Sequence, residues 1–328
     1  MLVLPFTVGS LVLSAISAAL PTSVSFRPAE KELTPLPLVI WHGLGDDYAR
    51  EGLREVAALA EEVNPGTYVH IIKLADSASA DRQATFFGNL TEQVEDVCAQ
   101  LASEPILSTA PAINAMGFSQ GGQFLRAYVE RCNFPPVRNL VTFGSQHNGI
   151  SKFQSCASAG DWVCRGAEAL LRSGTWTDFV QSRLVPAQYF RDPAELDLYL
   201  EHSNFLADVN NERALKNVTY KKNLMSLNRF AMFMFENDQT AVPKESAWFA
   251  EVNMTSGEVT PLKERELYKE DWLGLKVLDE EGKLEFKTLP GEHMHLTEET
   301  LSDAFKEYFG PVELDLAPTG VLTKQGGN

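Results

Sequence analysis

Positive charge is in short supply. Lysine and arginine number 28 against 44 aspartates and glutamates, giving a formal net charge of −16, and no basic run is longer than Lys221-Lys222. Nucleic-acid binding through phosphate contacts needs clustered Lys and Arg, so that class is set aside. Cysteine is also sparse. Cys98, Cys132, Cys156 and Cys164 include no C-x-x-C pair, which excludes the common structural zinc and dithiol redox motifs. No histidine has a partner at zincin spacing, and neither a metal nor a cofactor is expected. Past residue 20 no apolar run reaches transmembrane length, so no stable membrane span is expected in the mature chain. The sequence has no internal repeat.

Charge is also missing from Met1 to Leu20. There the apolar run through Leu11-Val12-Leu13 leads into the small residues Ser14, Ala15, Ser17, Ala18 and Ala19. This reads as a signal peptide over residues 1–19, cleaved after Ala18 or Ala19, and not as an anchor. Export would permit two disulfides among the four cysteines. Of the three pairings, Cys98–Cys132 would join two helix ends and Cys156–Cys164 would close a short loop. The alternative is four free thiols in a cytosolic protein. Asn-x-Ser/Thr sequons stand at Asn89, Asn217 and Asn253, all glycosylation candidates once export is accepted. The destination is then the lysosome, the vacuole or the medium.

Residues 22–35 are proline-rich and read as a leader. From residue 36 a strand–helix alternation begins. Apolar runs at 38–41, 68–74, 113–116 and 140–143 read as strands buried on both faces. Helical spacing links Leu53, Val56, Ala57, Ala60 and Val63, then Val94, Val97, Cys98 and Leu101, then Phe124, Leu125, Tyr128 and Val129. The pattern implies an α/β fold with a doubly wound, mostly parallel sheet and right-handed crossovers. It stops over about 151–228, which reads as a helical insertion with a helical stretch near 161–184. Phe230–Phe235 and residues 283–289 resume the strands. Residues 297–309 form a last amphipathic helix, and 311–328 a flexible tail. One domain over 36–310 is expected.

Chemistry is concentrated in Gly117-Phe118-Ser119-Gln120-Gly121, a G-x-S-x-G motif with a strand before it and a helix after it. That setting is a nucleophile elbow, which lifts the serine hydroxyl above the sheet beside the positive end of a helix. A serine needs a base, and the base needs an orienting acid. In a fold of this kind the chain order is Ser, acid, His. Among six histidines, His293 and His295 alone follow a late strand and precede the last helix. His293 is chosen and His295 is the rival. Asp238, just past the strand ending at Phe235, is the acid, with Glu236 as competitor. The developing oxyanion needs backbone N–H donors. Gln120 follows the nucleophile, and Leu44 sits in the glycine-bearing loop Trp41-His42-Gly43-Leu44-Gly45-Asp46.

These stretches resemble palmitoyl-protein thioesterases of the α/β-hydrolase superfamily, and the type-1 form in particular. The resemblance is carried by Pro37–Asp46, Asn114–Arg126, Asn204–Arg213, Tyr220–Met225 and Asp271–Lys276. It implies hydrolysis of long-chain fatty acyl thioesters on the cysteines of S-acylated proteins through an acyl-serine intermediate. It places Ser119, Asp238 and His293 at the family's catalytic positions. It also implies the Cys98–Cys132 and Cys156–Cys164 pairs and a glycan on Asn217. The adjacent cysteines that the family can carry after its His-Gly loop are absent here, where Asp47-Tyr48 stand. An acyl groove would be built by residues 151–230, including Phe179, Leu184 and Tyr189-Phe190. A lipase or esterase on oxygen esters, or an inactive binding protein of the same fold, are the alternatives.

Overall fold

A computed structural model describes residues 33–153, 161–171 and 174–313. Eight strands are present among them: β1 (Leu38–Trp41), β2 (Val69–Ile71), β3 (Ile113–Phe118), β4 (Val137–Phe143), β5 (Arg229–Phe235), β6 (Glu251–Val252), β7 (Val259–Thr260) and β8 (Leu284–Leu289). Six form one parallel sheet in the order β2-β1-β3-β4-β5-β8, while β6 and β7 make a short antiparallel ladder. The central strands are apolar without alternation because both faces are covered. Ile40, Met116, Val141 and Ala231 align across one face. They pack with the helices Glu51–Val63 and Glu298–Phe309. Val39, Ala115, Leu140 and Phe230 align on the other face, under the helices Leu90–Ser103 and Gln120–Arg131. The edge strand β8 instead carries Glu285 and Lys287, charges that blunt an exposed edge.

Chain direction across the sheet reverses between β1 and β3: β2 lies outside β1, and β4 lies outside β3. In open α/β sheets the crevice at such a reversal, past the strand C-termini, is where ligands collect. Trp41 and Phe118 end those two strands side by side.

Two elements differ from expectation. β2 stops at Ile71, short of Leu74, because the Leu74 amide donates to the Asp81 carboxylate at 2.5 Å and leaves the ladder. The helical stretch near 161–184 is two helices, Trp162–Leu171 and Asp178–Gln181. Gly174 at φ 111 lies between them, and the Thr177 hydroxyl caps the second by accepting from the Val180 amide. Between β4 and β5 the described residues add four further helices, Val185–Gln188, Leu196–His202, Leu206–Val209 and Val218–Met225, and no strand of the main sheet.

Cys98 and Cys132 are bonded, with Cα atoms 6.1 Å apart across a separation of 34 residues. On the chain-entropy account, closing such a loop stabilises by about 4 kcal/mol. Cys156, residues 1–32 and residues 314–328 lie outside the described residues, and with them the second cysteine pair, the signal peptide, most of the leader and most of the tail. The tail's first residues are held: Val312 forms an antiparallel bridge with Thr34.

Candidate active site

Ser119 alone separates β3 from the helix Gln120–Arg131. It turns the chain at φ 51, ψ −126, a region that costs a non-glycine residue roughly 1–3 kcal/mol. The surroundings hold it there. Its amide donates to Phe143 O at 2.8 Å, and its carbonyl accepts from the Gly122 amide at 3.1 Å. The flanking glycines follow from close approach. A Cβ on Gly117 would collide with the Gly122 backbone, one on Gly121 with the Trp41 and His42 carbonyls, and one on Gly122 with Thr142 and Ser145.

The Ser119 hydroxyl lies 3.0 Å from His293 Nε2, and His293 Nδ1 lies 2.6 Å from Asp238 Oδ2. The carboxylate fixes the tautomer. Nδ1–H donates to Asp238, leaving Nε2 to accept from the serine. Asp238 is itself oriented, since Oδ1 accepts from the Thr240 and Ala241 amides at 2.8 and 3.0 Å. The loops carrying acid and base are tied by the Asn237 amide donating to Gly291 O at 3.0 Å. The two rivals, His295 and Glu236, are exposed.

The oxyanion candidates also converge. Gly43 lies against Ser119 so closely that a Cβ there would sit 3.1 Å from Ser119 Cβ. Among the described residues, the Leu44 and Gln120 amides have no protein acceptor, so they remain available to a ligand. The loop that holds Leu44 is clamped by groups that no motif announces. His42 Nε2–H donates to Asp81 Oδ2 at 2.9 Å, with both side chains fully buried. The same oxygen accepts from the Tyr48 amide at 2.8 Å. Burial opposes ionisation of Asp81, but its hydrogen bonds and the His42 ring outweigh it and hold the carboxyl below its usual range. Gly45 donates its amide to Thr85 Oγ1 and accepts from Arg82 Nε at its carbonyl.

Ser119, His293 and Leu44 open into a cavity of about 540 Å³, walled largely by apolar side chains such as Phe86, Phe118, Ile150, Phe153, Ala167, Leu171 and Leu296. Of the four residues expected to build an acyl groove, only Tyr189 lines it. Phe179 points outward, 54% exposed and stacked by Arg183. Leu184 is buried in the cluster behind the wall, and Phe190 stacks on Phe153. The Tyr189 hydroxyl donates to Gln120 Oε1 at 3.0 Å, and the Gln120 amide group donates to Thr85 O.

The sequons differ in setting. Asn217 and Asn253 are exposed. Asn89 is half-buried, its Oδ1 accepting from the Thr91 amide and from Asn204 Nδ2. No group of three or more His, Cys, Asp or Glu side chains able to hold a metal occurs among the described residues.

Sheet order, elbow and the Ser–His–Asp line define an α/β-hydrolase. Within that class the chain belongs to the palmitoyl-protein thioesterase family: the family model described as palmitoyl protein thioesterase matches residues 37–293. Palmitoyl-protein thioesterase 1 of Caenorhabditis elegans is 40% identical over 294 residues, covering 88% of this chain and 95% of the relative. Palmitoyl-protein thioesterase 3 of Dictyostelium discoideum is 35% identical over 83% of this chain and 89% of its own. The rat protein named lysosomal thioesterase PPT2 is 28% identical over 79% and 82%.

Proposed function

We propose that this chain is a thioesterase that releases long-chain fatty acids from the cysteines of S-acylated proteins. The observation that carries the reading is the hydrogen-bonded line Ser119–His293–Asp238 at the mouth of an apolar cavity, in a member of this family. Ser119 Oγ attacks the thioester carbonyl carbon as His293 Nε2 takes its proton. The oxyanion is held by the Leu44 and Gln120 amides. Collapse breaks the C–S bond, and the cysteine sulfur leaves with the proton from His293. Water then gives its proton to His293 and attacks the acyl-serine. The acid departs and the proton returns to Ser119. Asp238 keeps the imidazole in register and offsets its transient charge. Each methylene buried in the cavity contributes about 0.8 kcal/mol, enough to favour long chains.

Passage through the secretory pathway to a lysosome-like compartment fits the Cys98–Cys132 bond, the charge-free signal-peptide pattern over residues 1–19 and the exposed sequons Asn217 and Asn253. No helix among the described residues is long and apolar enough to cross a membrane. The test is Ser119→Ala, assayed on S-acyl and O-acyl substrates of equal chain length. Thioester hydrolysis should fall by at least about 10⁴-fold. Activity retained in the variant would overturn the nucleophile. Faster cleavage of the oxygen ester by the wild type would overturn the substrate class.

A further inference from the structure

The cavity wall and the oxyanion loop are physically joined through one side chain. Arg82 Nε donates to Gly45 O at 3.0 Å, one residue from the Leu44 amide. Its Nη2 donates to Asp161 Oδ2 at 2.7 Å, and both side chains are only 28% exposed. Asp161 in turn accepts from the Cys164 amide through Oδ1 at 3.1 Å and so caps the helix Trp162–Leu171. That helix contributes Ala167 and Leu171 to the cavity wall. The guanidinium also lies 5.4 Å from the centre of the Phe86 ring, another wall residue. A second connection runs beside the first. The Leu44 side chain packs against the small apolar cluster of Phe86, Val163, Ala167, Val180, Leu184 and Ala187. The residue whose amide faces the oxyanion is therefore also part of the wall that an acyl chain would touch.

We propose that Arg82 is a positioning residue that couples filling of the acyl cavity to the placement of the Leu44 oxyanion donor, so that turnover depends on acyl length through the Arg82–Asp161 pair. The proposal rests on the thioesterase reading. A long chain packs against Phe86, Ala167 and Leu171 and restrains the helix Trp162–Leu171. The ion pair at the start of that helix then steadies Arg82, and Arg82 steadies the Gly45 carbonyl. A short chain leaves the wall untouched and gains nothing from the link. Arginine suits the role because its fork serves two acceptors at once, which a lysine ammonium on a flexible stem does less well. The Cys164 amide, and then the Arg82 contact, hold the Asp161 carboxyl below its usual range against the opposing effect of burial.

The experiment measures kcat and KM for wild type, Arg82→Gln, Asp161→Asn and the double variant on hexadecanoyl and butanoyl thioesters of one leaving thiol. Asparagine keeps an oxygen to cap the helix and loses only the charge. Thermal melts and serine labelling by a fluorophosphonate confirm folded protein. In each single variant the ratio of kcat on the long chain to kcat on the short chain should fall about tenfold, the worth of one charge-assisted hydrogen bond. KM should move less than kcat. The double variant should be no worse than either single one, since both break the same link. A ratio within twofold of wild type in both singles, or losses that add in the double variant, would overturn the coupling. If the wild type shows no thioester hydrolysis at all, it is the underlying reading that fails.

Discussion

At Ser119 the backbone strain and the chemistry have one origin. The positive φ that costs stability also turns the hydroxyl out of the sheet toward His293. The choice between the two late histidines can be decided by substitution. His293 is held between Ser119 and Asp238, while His295 is exposed. His293→Ala should lower kcat/KM for a palmitoyl thioester by about 10³-fold or more. His295→Ala should stay within about threefold of wild type, as an exposed residue off the relay. Steady-state hydrolysis on both variants checks this, and comparable losses would remove His293 as the base. The three residues that the structure joins in one hydrogen-bonded line, Ser119, His293 and Asp238, are legible in the sequence because each follows a recognisable strand and their order along the chain is that of the fold. His42–Asp81 and Arg82–Asp161 are not. Their partners lie 39 and 79 residues apart, and the helix Ala78–Ala84 that carries Asp81 and Arg82 has no apolar periodicity to announce it.

Among the elements, the helix Gln120–Arg131 is the most constrained, buried at every position except Arg131. Gly121 and Gly52 are both helical glycines, but their surroundings are opposite. A Cβ at Gly121 would strike the Trp41 and His42 carbonyls, whereas one at Gly52 meets nothing within 4 Å. Gly121→Ala should therefore destabilise by about 1–3 kcal/mol or prevent folding, because backbone cannot yield as a flexible side chain can. Gly52→Ala should stabilise by about 0.5–1 kcal/mol through helix propensity. Urea midpoints of the two variants against wild type test the contrast, and equal shifts would refute it. The sheet was readable for a related reason. Uninterrupted apolar runs such as Leu38–Trp41 and Phe230–Phe235 have few other places to go. The insertion reads only as helical, because its aromatic residues look alike in sequence. Phe179 points out, Phe190 packs on Phe153, and of these three expected groove aromatics, Phe179, Tyr189 and Phe190, Tyr189 alone reaches the cavity.

On the scale of the whole molecule, the same helix carries a pH-dependent contribution to stability. Arg126 ties it to the insertion by donating to Val209 O and Asn210 Oδ1, and within the helix it donates to the Glu130 carboxyl. Glu130 is fully buried and its Oε2 has no partner. Burial pushes its carboxyl up to about 7, against the pull of Arg126 and Arg131 and with a further push from Asp208. The ordinary value is 4.5, so between the two the folded chain holds a proton that the unfolded chain has released. Stability from this group is complete below the unfolded value and is lost as pH rises through about 7. Melting temperatures at mildly acidic and mildly alkaline pH should show wild type losing at least about 2 °C that Glu130→Gln does not lose. The same loss in both would place the slope elsewhere. This one group favours the folded chain in acid, while carboxyls held below their usual range, such as Asp81 and Glu212, act in the opposite sense.

The relay draws on residues 119, 238 and 293, and the last of these follows β8, an edge strand and the last strand of the sheet along the chain. During synthesis the serine, its strained turn and the oxyanion loop all emerge well before the histidine. Until β8 has paired with β5, the hydroxyl has no base and the carboxylate no ring to orient. Hydrolytic competence is thus among the last properties the growing chain acquires.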